Sequence, residues 1–168
     1  MNENELTGLL ESLRRMGSDD FNVEVKESAT TLSRDVWETV SAFANTAGGI
    51  IVLGVSERAG FVPVANFETE KVLNQFVAGM GDAGGRGKLA NPPKYTIERV
   101  ELQGVIVLVI TIEELDPSSK PCYVIERGAQ GGSYKRIDDK DVPLSSTEVL
   151  ALASYGRATP SDRDAVAG

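Results

Sequence analysis

Two charged residues placed two apart, Glu24 and Lys26, are the first candidates for chemistry in this chain. They lie in Val23-Glu24-Val25-Lys26, where apolar and charged residues alternate. The alternation reads as a half-buried strand with both charged side chains on one face. A Glu-x-Lys pair opposite a further acid suits metal-dependent phosphodiester hydrolysis. Carboxylates hold a divalent ion such as Mg²⁺ or Mn²⁺, and the lysine places the attacking water or the phosphate. The supporting acids would be Asp19, five residues upstream, and Glu57, in the turn after a second apolar strand. The same residues also describe an exposed strand face with a cross-strand ion pair.

Three other groups carry candidate binding chemistry. Lys135, Arg136 and Lys140 cluster beside Tyr134, a pairing that suits base stacking plus a phosphate contact. Asp138, Asp139 and Asp141 interleave with them, which equally describes a self-neutralised hairpin. The segment from Gly81 to Gly87 holds four glycines in seven residues and carries Arg86, with Lys88 next to it. It is not a phosphate-binding P-loop: Asp82 stands where that pattern needs Gly, and Leu89 where it needs Ser or Thr. A flexible loop with two cations can touch a nucleic-acid backbone without reading sequence. Asn45, Thr46, Gly48 and Gly49 end a helix, and the glycines permit close approach of a phosphate or of neighbouring backbone. Cys122 reads as an inert strand residue and Trp37 as core.

Composition narrows the chemistry. The chain contains no histidine, which removes His-based metal sites and Ser-His-Asp or Cys-His catalysis. One cysteine excludes an internal disulfide and suits a reducing, cytoplasmic setting. A net charge of −8 argues against a dedicated DNA-coating protein, because affinity for nucleic acid comes largely from Lys and Arg on phosphates. It leaves room for a local basic face. The longest apolar run, Val105 to Ile110, has the length of a buried strand and falls far short of a membrane span. The acidic start, Met1 to Glu5, shows no signal-peptide pattern.

The elements that must position these residues follow from periodicity. Leu6, Leu9, Leu10 and Leu13 predict a helix over about 3–15, broken at Gly17. Ser33 is the expected N-cap of a helix running to about Thr46, and Ile50 to Val55 a continuous apolar strand. A helix from about Glu68 precedes the glycine-rich loop, and Tyr95–Leu102 and Val105–Ile112 form a hairpin about Gln103-Gly104. Short strands are expected at 123–125 and 133–137, then a helix to about Ser154 behind a Ser145/Glu148 capping box. The fold class is α/β or α+β, a mixed β-sheet covered by helices in one domain over 1–154, with a loose tail over 155–168. Apolar strands with open edges also predict a homo-oligomer.

Three segments resemble the Schlafen/AlbA-like domain family, whose members are mostly labelled DNA-binding. They are Val23 to Ser28; Ser41-Ala42-Phe43-Ala44-Asn45-Thr46-Ala47-Gly48-Gly49 leading into Ile50 to Val55; and Lys120-Pro121-Cys122-Tyr123 with Ser133-Tyr134-Lys135-Arg136. The second is the most specific. The likeness spans about Ser18 to Leu152 and suggests a bacterial or phage member without the helicase-like or winged-helix regions of long relatives. It implies binding to DNA or RNA, with a regulatory role. Some relatives are described as ATP-binding or as transcription regulators, and animal Schlafens include metal-dependent ribonucleases. The resemblance therefore implies either a nucleic-acid contact through Lys26, Asn45, Gly48, Gly49, Arg86, Lys88, Tyr134, Lys135 and Arg136, or a nuclease with Asp19, Glu24 and Glu57 as metal ligands and Lys26 assisting. A third reading is a nucleotide-binding or self-assembling module. Two departures bear on the nuclease: Asp19 replaces the family's glutamate, and Ser56 precedes Glu57 where an acidic pair is common.

Overall fold

The computed structural model describes residues 1–158. In chain order the elements are α1 (Glu3–Met16), β1 (Val23–Lys26), α2 (Val36–Asn45), β2 (Gly49–Leu53), β3 (Val55–Ser56), β4 (Val62–Pro63), α3 (Thr69–Gly79), β5 (Leu89–Ala90), β6 (Tyr95–Leu102), β7 (Val105–Ile112), β8 (Tyr123–Val124), a short turn α4 (Ala129–Gly132), β9 (Tyr134–Ile137), β10 (Lys140–Pro143) and α5 (Ser146–Ala158). The central sheet runs β1-β2-β7-β6. β1 and β2 are parallel, and the other pairs are antiparallel, so the sheet is mixed as expected.

Side-chain alternation explains the apolar runs of the two inner strands. Ile51, Leu53, Leu108, Ile110 and Ile112 meet α2 and α3 through Val36, Val40, Phe43, Val72 and Phe76. Val52, Val107 and Val109 point the other way, onto Leu6, Leu10 and Leu13 of α1. A strand buried on both faces needs no polar alternation. Gly48 and Gly49 allow the tight passage from α2 into β2. A β-carbon on Gly48 (φ +72) would lie 2.7 Å from the Ile112 carbonyl, and one on Gly49 would lie 2.8 Å from the Phe43 ring. Of the two readings of this glycine pair, close approach of neighbouring backbone and side chain is therefore the one realised.

A second region, β8 to β10, packs on the outer side of α2. Ser41 Oγ donates to the Cys122 carbonyl at 2.7 Å and accepts from the Tyr134 N–H at 3.0 Å. Asn45 Oδ1 accepts from the Cys122 N–H, while its Nδ2 donates to the carbonyls of Cys122 and Tyr134. These contacts correct the nucleic-acid role expected of Asn45, because its amide is spent holding two main-chain segments.

Several boundaries differ from expectation. Gly54, at φ +98, breaks the expected Ile50–Val55 strand into β2 and β3. Ser33 does not cap α2: its hydroxyl meets Ser28 Oγ at 2.9 Å, and the helix begins at Val36 behind Asp35, whose carboxylate pairs with Lys26. The strand expected at 123–125 stops at Val124, β5 was not expected, and the hairpin read around Asp138-Asp139 forms as β9 and β10. The Ser145/Glu148 capping box forms, and its helix runs past Ser154 to Ala158. The rest of the expected loose tail, 159–168, lies outside the described residues.

Candidate functional site

The expected site residues separate into two places. The first is an ionic centre at the β1 edge. Strand alternation turns Tyr134 and Arg136 inward and Lys135 the other way. Arg136 reaches β1 with a side chain only 1% exposed. Its guanidinium donates to Glu24 at 2.7 Å and to Asp141, its cross-strand neighbour, at 2.8 Å. Further bonds go to the carbonyls of Phe21, Asp20 and Val23. The group also lies 5.0 Å from the Phe43 ring centroid. All its donating capacity faces inward, so the phosphate contact expected of Arg136 is corrected to a cross-link between the hairpin and β1.

Lys26 is 9% exposed and lies 3.1 Å from Asp35 and 4.0 Å from Glu24. Asp19, also buried, accepts the Val25 N–H at 3.1 Å. Burial first, then its hydrogen bond to Glu24 and the charges of Glu24 and Glu57, push the Asp19 carboxyl up to about 9. Burial and the charges of Glu24 and Asp139 also raise Glu57. Asp19, Glu24 and Glu57 are thus electrostatic neighbours, as the spacing argument required. Crowded carboxylates of this kind keep a proton until a cation displaces it. One Glu24 oxygen is committed to Arg136 at 2.7 Å. Among the described residues no group of three or more His, Cys, Asp or Glu is placed to hold a metal ion.

The second place is a cleft of about 680 Å³ between the start of α2, the glycine-rich loop and the turn after β8. Arg34, Trp37, Glu38, Arg86, Lys88, Glu126 and Arg127 line it. Among the described residues neither Arg34, Arg86 nor Lys88 pairs with a carboxylate, and Arg127 lies 3.4 Å from Glu38. Arg127 also bonds the hydroxyl of Tyr134, whose ring is buried and 5.8 Å away. Tyr134 therefore props a cleft residue and offers no open face for stacking. Lys135 is taken up by Glu148 of α5 at 2.7 Å, which pulls that carboxyl down to about 2 with help from the Ser145 N–H. Arg136–Asp141 is an ion pair within the hairpin, while Lys135 is paired outside it, and the phosphate contact expected of Lys135 is corrected accordingly.

Residues 19–145, which hold both places, match the sequence model of the Schlafen, AlbA_2 family. The chain belongs to that family. Among solved structures, this AlbA_2 chain is similar to the N-terminal domain of a RecG-related protein, named for ATP-dependent DNA helicases, from Nitrosomonas europaea. The two share 28% identity at a TM-score of 0.60, over 80% of this chain and 90% of that one. The DIP2311 protein from Corynebacterium diphtheriae is alike in fold, with 15% identity and a TM-score of 0.50; the match covers 89% of this chain and 28% of that one. No curated protein matches. Among the described residues, no helix is long and apolar enough to cross a membrane.

Within this AlbA_2 chain the charged cleft residues missed by sequence reasoning are Arg34, Glu38, Glu126 and Arg127. They fall in two distant segments, and only the packing of the turn after β8 against α2 brings them beside Arg86 and Lys88. The one visible signal was Arg127, four residues after the Pro-Cys-Tyr segment.

Proposed function

We propose that this domain binds nucleic acid through the basic cleft and acts by occupancy, as a regulator. The observation that carries the reading is the set of four cations lining one concavity in a chain of net charge −8. Isolated cations on so acidic a chain are expected to be neutralised, and Arg34, Arg86 and Lys88 are not, among the described residues. Family membership and the neighbour named for DNA helicases support the same reading. Trp37 shows the cleft only an edge, its ring being buried against Phe76 and Gly79, so the cations carry the contact.

The test is fluorescence anisotropy with labelled DNA and RNA at several salt concentrations. Up to four cations on phosphate give a log–log salt slope of roughly −2 to −4. Arg34→Ala and Arg86→Ala should each weaken binding severalfold, while substitutions at Asn45 or Lys135 should act only through stability. Salt-independent affinity, or binding indifferent to the cleft variants, would overturn the reading. Self-association belongs to the same proposal. The outer edge of β6 ends the central sheet, and light scattering that returns a monomer at high concentration would remove it.

A further inference from the structure

The cleft has a charge pattern that selects among nucleic-acid groups. Four cations against two carboxylates, Glu38 and Glu126, leave an excess of two positive charges in one concavity of about 680 Å³. A duplex presents single charges strung along a convex cylinder, and a protein that tracks it spreads its cations along the surface. Here they surround a pocket of small-molecule size. A double-helical stem cannot enter such a concavity, whereas the end of a single strand can.

The excess charge also distinguishes end groups. An internal phosphodiester carries one negative charge. A terminal phosphate monoester carries about −1.5 to −2 at neutral pH and offers three strong acceptor oxygens. Guanidinium forks such as those of Arg34, Arg86 and Arg127 bind such oxygens in pairs. The first turn of α2, which supplies Trp37 and Glu38 to the cleft, adds the positive end of a helix dipole. The Asp35 carboxylate at that turn is drawn off by Lys26 at 3.1 Å and leaves the cleft's charge excess intact.

We propose that the cleft captures the phosphorylated end of a single-stranded nucleic acid, with the terminal phosphate among Arg34, Arg86, Lys88 and Arg127. This rests on the nucleic-acid reading of the same cleft. The experiment uses the full chain at low salt and short single strands of one sequence, ended by 5′-phosphate, by 3′-phosphate or by hydroxyls at both ends. ATP and inorganic phosphate serve as competitors. One phosphorylated strand should bind about tenfold tighter than the hydroxyl-ended strand, through one more charge-assisted contact. The Arg86→Ala/Lys88→Ala variant, altered only on an exposed loop, should keep its circular dichroism and lose the preference. Lys71→Ala, on the outer face of α3, should keep it. Equal affinity for all three strands overturns the inference and leaves the binding reading standing. Absence of binding to any strand overturns both. Tight binding of ATP, with strand ends making no difference, assigns the cleft to a free nucleotide and overturns the strand-end inference.

Discussion

Arg136→Ala is the most informative single perturbation of the ionic centre. The wild-type side chain is 1% exposed and makes five hydrogen bonds, two to carboxylates and three to carbonyls. Both carboxylates, Glu24 and Asp141, have side chains only 14% exposed. Alanine leaves two largely buried anions without their neutraliser and opens a void beneath the Phe43 ring. Breaking a buried pair by removing one partner costs about 3–5 kcal/mol. Water entering the void recovers part of the carbonyl bonding, so a net loss of about 4 kcal/mol is expected. That is a large share of the roughly 5–15 kcal/mol that holds a domain together. With a urea m-value of about 2 kcal/mol/M, the unfolding midpoint should drop by about 2 M. Arg136→Met combined with Glu24→Gln and Asp141→Asn removes the charges together and should regain more than half of the loss. In the fraction still folded, affinity for nucleic acid should be unchanged, because the cations of the cleft are elsewhere. A midpoint within about 0.3 M of wild type, or selective loss of binding with stability intact, would refute the assignment of Arg136 as a cross-link.

Three further outcomes follow from particular contacts. The folded Asp19 carboxyl titrates near 9 against 3.8 for the free group, so between about pH 4 and 9 the folded state holds a proton the unfolded chain lacks. The stability this proton carries is complete below about pH 4 and is lost as pH rises toward 9; Asp19→Asn, which keeps an acceptor for Val25 and a donor for Glu24, should flatten that fall in urea titrations, and an unchanged slope would count against it. Gly79→Ala lies in a helix, where the exchange ordinarily gains up to about 1 kcal/mol, yet a β-carbon there runs into the Trp37 ring, so thermal melts should show a loss of about 1–3 kcal/mol. Incubation of labelled RNA or DNA with Mg²⁺ or Mn²⁺ should give binding without cleavage; metal-dependent cutting that disappears in Glu24→Gln would restore the hydrolytic reading of Asp19, Glu24 and Glu57.

The central sheet was legible because its signals are local. The runs of Val105–Ile112 and Ile50–Leu53 leave no option but burial on both faces, and the α1 leucines repeat at helical spacing. Gly54 was read as part of a strand because an isolated glycine among valines and leucines does not announce a positive φ. β5 is two residues long and owes its pairing to Tyr123–Val124, more than thirty positions away, which no local window contains. The ionic centre was half legible. Spacing put Glu24 and Lys26 on one strand and named Asp19 and Glu57, yet it could not show that Arg136 would arrive from a hairpin more than a hundred positions away and claim Glu24. In the basic run Lys135 turns to Glu148 and Arg136 turns inward to Glu24 and Asp141. The basic surface came instead from Arg34, Arg86, Lys88 and Arg127, whose common address exists only once the chain has folded.

The bonds from Ser41 and Asn45 to Cys122 and Tyr134 form a joint. α2 lies between the sheet and the β8–β10 region, and the latter has no hydrogen-bonded pairing with the central sheet. It is registered on α2 by Ser41 and Asn45, one helical turn apart, with Thr39 and Thr46 beside them, and is tied to β1 by Arg136. Two of the cleft's walls, the start of α2 and the turn after β8, stand on opposite sides of that joint. The cleft can therefore be dismantled by a local opening that costs less than unfolding, and a ligand seated in it would act as a clasp across the seam.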